Sequence, residues 1–323
     1  MNFYTYDLNL FKKMKTHFDH GTNEFLKEKN ATIHLNYSHD CNLFMKNIFD
    51  LKCNDQCQYD FFIVPFVIRI NPKTKDDLNY KIFNKLIKNL EFFEKNPEKH
   101  VFFFVGDEWK IPSIFKKSIL FMQSCHKGTN AFPLHFTSKI IENLKFSKPI
   151  KLANYDISFQ GNVKSHKCRR DILSYLNNSD LKKSFVKTPS LPKYPLIHDS
   201  SLIESYFKSI DDSRFVLCPR GVGLNSIRFY ETIAAGRIPV LISDHCKLPK
   251  FIDWSRLIIR VPEKNISNIE NMIKLFMFQN DLEKISLKLK KIWVDIFENF
   301  QNFLIMNFQN LFKKNYQSCI SLL

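Results

Sequence analysis

The chain has 323 residues, of which 44% are hydrophobic and 25% are charged, with only 7 Gly and 13 Pro. This composition excludes disordered and fibrous proteins, and the length predicts two domains of ordinary size. The 48 Lys and Arg residues outnumber the 32 Asp and Glu residues, and the resulting net charge of +16 favours anionic partners.

The positive charge is spread along the chain without a run of five or six like charges. A solvated basic surface, nucleic acid, anionic lipid and phosphorylated small molecules therefore remain open as explanations. Eight scattered cysteines and the lack of an apolar leader predict reduced thiols in a cytoplasmic protein. The apolar stretches are far shorter than the ~20 residues that cross a bilayer, so we expect at most peripheral contact with an anionic membrane surface.

The first half of the chain alternates apolar runs with a helical pattern. Four runs are predicted to be strands, at residues 31–35, 60–70, 100–105 and 119–123. Apolar residues recur at intervals of three and four from Leu78 to Phe93 and predict a helix that ends before Pro97. The alternation of strand and helix implies parallel pairing, and hence an open α/β sheet.

Residues 146–155 (FSKPIKLANY) interrupt this pattern with Pro149 and polar side chains, and we predict a linker there. The expected domains are therefore 1–150 and 151–323. The second half repeats the alternation, with strands at 156–160, 214–218 and 238–243, a turn at 161–162, and helices at 167–176, 200–209 and 226–235. Beyond residue 262 the pattern is helical to about residue 312. The Phe and Leu stripe from Ile285 to Phe312 favours a core-facing helix over a membrane anchor.

The segment from Ser213 to Asp244 (SRFVLCPRGVGLNSIRFYETIAAGRIPVLISD) is typical of a strand, loop, helix and second strand. In its loop, Gly221 would let the backbone bend closely around a ligand, and Ser226 is suited to cap the following helix. Amides at a helix start attract phosphate, and guanidinium groups match phosphate oxygens. The spacing therefore favours a phosphate site.

An alternative interpretation of this segment is structural. Gly-rich turns between strand and helix are common, and Arg228 and Glu231, three residues apart, could form an ion pair on a solvated helix face. The segment has neither the Gly-Lys-Ser/Thr of a Walker loop nor the GxGxxG of a dinucleotide site.

The run from Phe215 to Pro249, with CPRG, SIRFYE, GRIPVLISD and LP, resembles the donor-binding signature of the exostosin-like glycosyltransferases. Residues 157–173 (ISFQGNVKSHKCRRDIL) resemble the Phe-x-Gly turn followed by arginine that opens the same half in that family. In the first half, DFFIVPF and VFFFVGDEW are similar to two family strands, although Gly106-Asp107 stands where the family has His-Asp. The resemblance implies a GT-B fold, with two facing Rossmann-like domains and a C-terminal helical segment that can cross back to the first domain.

The resemblance further implies inverting transfer from a nucleoside-diphosphate sugar, with a UDP-sugar favoured, to a hydroxyl of a glycan or lipid-linked saccharide, without a cofactor. The acceptor would bind residues 1–150 and the donor residues 151–323. By position, Glu231 would bind the ribose and Asp244 the donor sugar. The residues expected around the diphosphate are Arg220, Gly221, Asn225, Ser226 and Arg228, and either Arg169 or Arg170 would reach the same phosphates from the first helix of the second domain.

The sequence contains no Asp-x-Asp motif, which favours a metal-independent reaction in which arginines stabilise the leaving diphosphate. An inverting reaction also needs a base to accept the proton of the acceptor hydroxyl. Asp107 and Glu108 follow an apolar strand at the edge where ligands bind in open α/β sheets, and we prefer Asp107 by position. The alternative is that one of them caps the next segment or pairs with a surface lysine.

Other groups of residues point to chemistry less clearly. His39, Cys41, Cys53 and Cys57 fall within nineteen residues but lack a standard zinc spacing, and Cys125-His126 lacks a third partner for nucleophilic catalysis. The net charge would also suit a nucleic-acid-binding protein, including one that glucosylates DNA. No recognisable nucleic-acid module supports that alternative, so nucleic acid is not an expected partner.

A third alternative is a catalytically inactive, lectin-like relative of the family. The intact Arg228 and Glu231 make this alternative less attractive.

Overall fold

The computed structural model describes residues 3–6, 60–68, 87–104, 113–127, 130–135, 140–188 and 200–312. The chain divides into two compact units, unit 1 (Met1–Leu134) and unit 2 (His135–Leu323). Within the described residues each unit contains one five-stranded sheet, and all of its pairings are parallel. The predicted α/β class, with two Rossmann-like parts, is therefore confirmed. The strand predicted at 31–35 lies outside the described residues.

The strands of unit 1 follow one another across the sheet in chain order. They are β1 (Phe3–Thr5), β2 (Phe61–Ile68), β3 (His100–Phe104), β4 (Ile119–Met122) and β5 (Phe132–Pro133). All five residues of β3 are buried, as expected for a central strand of a parallel sheet. Aromatic rings link adjacent strands: Phe62 stacks on His100 with centroids 4.8 Å apart, and Phe103 stacks on Phe121 at 5.5 Å.

The helix predicted from Leu78 to Phe93 is described only from Ile87 onwards. Ile87 and Lys88 are helical, and turns then lead to a 3₁₀-helix at Pro97–Lys99. Leu90 N donates to Ile87 O at 3.1 Å and Phe93 N donates to Leu90 O at 3.0 Å, bonds that span three residues rather than four. The prediction of a helix is therefore wrong for residues 89–93, which form turns. The buried Ile87, Leu90 and Phe93 are spaced three apart, and this spacing suits tight turns as well as it suits a helix.

Unit 2 orders its strands β10-β9-β8-β6-β7. Their bounds are β6 (Tyr155–Asn162), β7 (Lys183–Thr188), β8 (Ser213–Pro219), β9 (Ile238–Ile242) and β10 (Ile259–Val261). From β6 the chain first forms β7 on one side and then crosses to form β8, β9 and β10 on the other side. The strand order therefore reverses at β6. Open α/β sheets bind ligands at such a switch point, beyond the carboxyl ends of the strands.

Seven α-helices have both ends within the described residues, and all seven lie in unit 2. They are α1 (Ile141–Leu144), α2 (Lys167–Leu176), α3 (Ser200–Asp211), α4 (Ile227–Ala234), α5 (Ile269–Gln279), α6 (Leu282–Ile292) and α7 (Phe300–Phe312). Shorter helical turns lie at Ser113–Phe115, Ile150–Leu152, Trp254–Arg256 and Glu263–Asn268, with a π-helix at Trp293–Glu298. In the C-terminal stripe Leu289, Phe297 and Phe303 are buried, so the core-facing interpretation is confirmed. Among the described residues, no helix has both the length and the apolar character that a membrane crossing needs.

Residues 146–155, predicted to be a linker, instead pack within unit 2. Lys148 Nζ forms an ion pair with Asp212, and Lys290 Nζ donates to Ser147 O at 2.9 Å. Arg237 Nη2 donates to Lys148 O at 2.7 Å. The polar groups that suggested a linker therefore bind the residue after α3, a residue of α6 and the residue before β9. Unit 2 begins at His135 rather than at residue 151.

Candidate anion-binding site

The carboxyl ends of β6 and β8 meet at the switch point of the unit 2 sheet. β6 continues through Gly161 and Asn162, which pair with Lys187 and Thr188 of β7, so the turn predicted at 161–162 is wrong. β8 ends at Pro219, and a loop leads from there to α4. The sheet thereby brings together the two segments, 157–173 and 213–244, that the sequence singled out separately.

Arg228 lies in α4 with only 6% of its surface exposed. Its guanidinium lies 4.7 Å from the ring centroid of Phe159 and 5.4 Å from that of Tyr206, and its Nη2 donates to Gln160 O. The buried Nε has no hydrogen-bond partner among the described residues. A buried donor without an acceptor costs free energy, so this nitrogen favours an incoming anion.

Arg169, near the start of α2, spans the ends of both strands. Its Nε donates to Arg220 O at 2.9 Å, its Nη1 to Asn162 O at 3.0 Å and its Nη2 to Pro219 O at 3.3 Å. The structure thus gives Arg169 a bracing role that the sequence did not predict. Burial, and then the nearby charge of Arg228, lower the pKa of Arg169 to about 10, so it stays cationic at neutral pH.

Two glycines make room for these guanidinium groups. A Cβ on Gly161 would lie 2.9 Å from Arg228 Nη2 and 3.7 Å from Arg169 Nη1. A Cβ on Gly221 would lie 3.1 Å from Arg169 Nη2. Both positions therefore favour glycine for space, and Gly161 is a site residue that the sequence assigned only to a turn.

The guanidinium groups of the buried Arg228 and the partly buried Arg169 create a local excess of positive charge. Within the described part of the chain, the arginine ion pairs involve Arg214, Arg220 and Arg237, and none involves Arg169 or Arg228. Neighbouring cations repel one another most strongly where water is excluded. A bound anion would offset this repulsion, and the charge of two guanidinium groups matches a phosphate or diphosphate.

The loop after β8 supplies a third arginine. Arg220 Nη2 donates to Val222 O at 3.0 Å, and its Nη1 lies 4.0 Å from Glu263 Oε1. Ser226 occupies the N-cap position of α4, but its side chain makes no capping hydrogen bond, so the predicted capping role is wrong. Asn225 Oδ1 instead accepts from Ser226 N at 2.8 Å, and both side chains are buried.

Glu231, one turn after Arg228 in α4, is 3% exposed. Its Oε2 accepts a hydrogen bond of 2.5 Å from the hydroxyl of Tyr206 in α3. Because Arg228 and Glu231 are both buried, the alternative of an ion pair on a solvated helix face is wrong. Tyr206 was missed by sequence reasoning, since a helical pattern does not show which distant side chain a tyrosine contacts.

The remaining predicted residues are less central. Arg170 is exposed. Asp244 Oδ1 accepts from Glu263 N at 2.8 Å, and Asp244 N donates to Glu263 Oε1 at 3.4 Å, which ties Asp244 to the turn after β10. Asp107 and Glu108, the predicted bases, lie outside the described residues, as do His39, Cys41, Cys53 and Cys57.

One group in the described residues has the makings of metal ligands. His166 Nδ1, Cys168 Sγ and a Glu263 carboxylate oxygen lie within 4.8 Å of one another, a set of donors that suits zinc. His166 Nδ1 already accepts from Cys168 N at 3.3 Å, and burial raises the pKa of the Cys168 thiol to about 12. The nearby charges of Arg220 and Arg169 also oppose a cation, so we interpret the group as the cap of α2.

A parallel α/β unit with clustered arginines at its switch point is typical of proteins that bind nucleotides or other phosphorylated ligands. Residues 21–276 match the Exostosin GT47 domain, and the chain therefore belongs to the Exostosin GT47 family. The predicted family is thus confirmed, and the predicted class of enzyme, glycosyltransferase, is the class of this domain.

Curated relatives align with parts of the chain. The Exostosin-1 homolog of Caenorhabditis elegans is 40% identical over 70 residues, 21% of this chain and 18% of that protein. Exostosin-1 of Drosophila melanogaster is 37% identical over 71 residues, 21% of this chain and 9% of that protein. A probable glucuronosyltransferase of Oryza sativa subsp. japonica is 27% identical over 179 residues, 50% of this chain and 40% of that protein. The chain thus matches less than half the length of each relative.

Solved structures of glycosyltransferases are similar to the chain only loosely. S. aureus TarM, in a complex that includes UDP, has a TM-score of 0.40 and 12% identity, over 78% of this chain and 55% of that one. A glycosyltransferase from Rickettsia africae has a TM-score of 0.39 and 11% identity, over 98% of both chains.

Proposed function

We propose that this protein is an inverting, metal-independent glycosyltransferase that moves a sugar from a nucleoside-diphosphate sugar, preferably a UDP-sugar, to a hydroxyl of a glycan or lipid-linked saccharide. The observation that carries the proposal is the pair of guanidinium groups at the switch point of the unit 2 sheet, that of the buried Arg228 and that of the partly buried Arg169. Membership of the Exostosin GT47 family supports the reaction class.

In the proposed reaction the acceptor oxygen bonds to the anomeric carbon as the bond from that carbon to the diphosphate breaks. The proton of the acceptor hydroxyl passes to a base, for which Asp107 or Glu108 remains the prediction. Attack opposite the leaving group inverts the anomeric configuration. Negative charge develops on the diphosphate, and this is the charge that the arginines would stabilise.

The arginines suit this task because they are fixed before the donor binds. Arg228 is held by Phe159 and by Gln160 O, and Arg169 by backbone carbonyls. Donors that need no rearrangement stabilise developing charge more effectively than water does. The amides at the start of α4 would add to the same field. These fixed charges support the metal-independent form of the reaction.

The proposal is tested by assaying release of UDP from UDP-sugars in the presence of EDTA. We expect activity in EDTA, and we expect Arg228→Ala to lower kcat by on the order of 100-fold or more, the usual cost of losing one donor to a developing anion. Arg214→Ala is the matched control, because Arg214 lies on β8 with 37% of its side chain exposed and is paired with Asp156.

Two outcomes would contradict the proposal separately. Activity that disappears in EDTA and returns with Mg²⁺ or Mn²⁺ would disprove the metal-independent mechanism. An Arg228→Ala protein that folds, by its melting temperature, and binds UDP as tightly as the wild type would disprove the site.

A further inference from the structure

Tyr206 of α3 contacts both charged groups that we assign to the donor. Its hydroxyl donates to Glu231 Oε2 at 2.5 Å, and the guanidinium of Arg228 lies 5.4 Å from its ring centroid. We propose that Tyr206 is a positioning residue that holds the ribose-binding carboxylate of Glu231 and the diphosphate-binding guanidinium of Arg228 in one arrangement. This inference rests on the proposed function, and it identifies a residue that donor binding requires.

The hydrogen bond from Tyr206 restrains rotation of the buried Glu231 carboxylate about its last side-chain bond. Only 3% of Glu231 is exposed, so protein groups rather than water must satisfy its oxygens. Burial raises the pKa of Tyr206 well above 10, and the hydroxyl therefore keeps its proton and donates at neutral pH. A bond from a neutral donor to a carboxylate is among the stronger hydrogen bonds in proteins.

The ring of Tyr206 acts on Arg228. The guanidinium lies close to the rings of both Tyr206 and Phe159, at 5.4 and 4.7 Å. Attraction between a cation and an aromatic face strengthens when water is excluded, as it is around this buried side chain. The hydroxyl and the ring of one residue therefore serve different partners.

The position of Tyr206 is itself tied to the site. Its neighbour Ser205 donates to Gln160 Oε1 at 3.1 Å, and the backbone oxygen of Gln160 accepts from Arg228. Ser209 Oγ donates to Tyr206 O at 2.7 Å, and Ser213 Oγ, at the start of β8, donates to Ser209 O at 2.9 Å. These bonds fix α3 relative to β6 and β8, so Tyr206 is held at the site by its own helix.

Two substitutions separate the two contacts. Tyr206→Phe removes the hydroxyl and keeps the ring, whereas Tyr206→Leu removes both. Three ligands separate the ribose contact from the diphosphate contact. UDP can make both contacts, 2′,3′-dideoxy-UDP lacks the ribose hydroxyls, and inorganic pyrophosphate lacks the nucleoside. Tyr175→Phe is the matched control, because Tyr175 lies on α2 and is 57% exposed.

Dissociation constants measured by titration calorimetry on the full chain test the inference. We expect the wild type to prefer UDP to dideoxy-UDP, and Tyr206→Phe to weaken UDP binding about tenfold, as for loss of a bond to a charged group. Binding of dideoxy-UDP and pyrophosphate by Tyr206→Phe should be unchanged. Tyr206→Leu should weaken pyrophosphate binding as well, and Tyr175→Phe should match the wild type throughout.

The outcomes distinguish this inference from the proposed function. If the wild type binds UDP but Tyr206→Phe keeps the full preference for UDP over dideoxy-UDP, the positioning role is wrong and the proposed function stands. A uniform loss of all three ligands together with a lower melting temperature would mean a purely structural role, and would also overturn the inference. A wild type that binds neither UDP nor pyrophosphate would disprove the proposed function itself.

Discussion

Arg169 and Arg228 are cations placed where cations are costly, and the structure shows what keeps them there. Both guanidinium groups lie near the ring of Phe159, at 5.8 and 4.7 Å from its centroid. Arg169 donates to Asn162 O and Pro219 O at the ends of β6 and β8, and Arg228 donates to Gln160 O in β6. Carbonyl dipoles and an aromatic face stabilise a cation without neutralising its charge. The positive field therefore remains available to a ligand, which a carboxylate partner would prevent.

The space for this arrangement depends on Gly161. Gly161→Ala would place a Cβ 2.9 Å from Arg228 Nη2, and that guanidinium already lies close to the rings of Phe159 and Tyr206. We expect pyrophosphate and UDP to bind at least several-fold more weakly, because Arg228 must shift. Melting temperature should change little, because the end of one side chain, and no backbone, has to move. Titration calorimetry checks the affinity, and unchanged binding would show that Arg228 tolerates the displacement.

At the scale of elements, the C-terminal end of α4 depends on a glycine, whereas its N-terminal half carries Arg228. Gly236 follows the helix with a φ of +65°, a conformation that favours glycine. A Cβ there would lie 2.7 Å from Lys290 Cγ and 2.9 Å from Ser286 Oγ, both on α6. The glycine therefore permits both the turn into β9 and the close packing of α6.

Gly236→Ala should accordingly lower the free energy of unfolding by roughly 1–3 kcal/mol, the usual cost of a residue with a side chain in this backbone region. Urea denaturation followed by the fluorescence of Trp254 and Trp293, both in unit 2, measures it. Gly161→Ala is the reciprocal control, because it should alter affinity more than stability. A Gly236→Ala protein as stable as the wild type would show that the turn and α6 adjust freely.

Elements with a strong apolar or helical pattern were predictable from the sequence. The helix predicted at 167–176 coincides with α2, and the strands predicted at 214–218 and 238–243 lie within one residue of β8 and β9 at each end. β7 was missed because it is an edge strand whose residues Lys183 and Lys187 break the apolar pattern, as edge strands commonly do. β1, β5 and β10, of two or three residues, are too short to show a period.

The candidate site was predictable only in part, for a related reason. The motif indicated Arg228 and Glu231, since residue types at fixed spacing within one helix are visible in a sequence. Their partners are Gln160, which precedes Arg228 by 68 residues, and Tyr206, which precedes Glu231 by 25. These contacts form because β6 and β8 are neighbours in the sheet. Tertiary packing determines which strands are neighbours, and a local sequence pattern does not show it.

At the scale of the whole molecule, unit 2 begins sooner than the sequence predicts because His135 belongs to its core. The imidazole lies among aromatic rings, with centroids 4.8 Å from Phe303, 5.4 Å from Phe297 and 6.2 Å from Tyr230. The C-terminal helical segment thus covers the first residues of the unit as well as α4. Chain segments more than 150 residues apart form one core, which explains why composition alone misplaced the boundary.

His135 makes the stability of unit 2 depend on pH. Burial lowers its pKa to about 3 in the folded protein, against 6.5 for the ordinary side chain, so between these values the unfolded chain binds a proton that the folded chain does not. The stabilising contribution of the neutral ring is present above pH 6.5 and is lost as pH falls towards 3. Between pH 7.0 and 5.5 the loss should be roughly 1 kcal/mol.

Comparison with His135→Leu isolates this effect, because leucine is apolar and does not titrate. The substitution changes packing equally at all pH values, whereas the proton linkage acts only below pH 7. We therefore expect the difference in unfolding free energy between wild type and variant to shift by roughly 1 kcal/mol in favour of the variant between pH 7.0 and 5.5. Urea denaturation at both pH values measures it. A constant difference would mean that the ring is protonated or exposed in the folded state, and that the aromatic core does not enclose it.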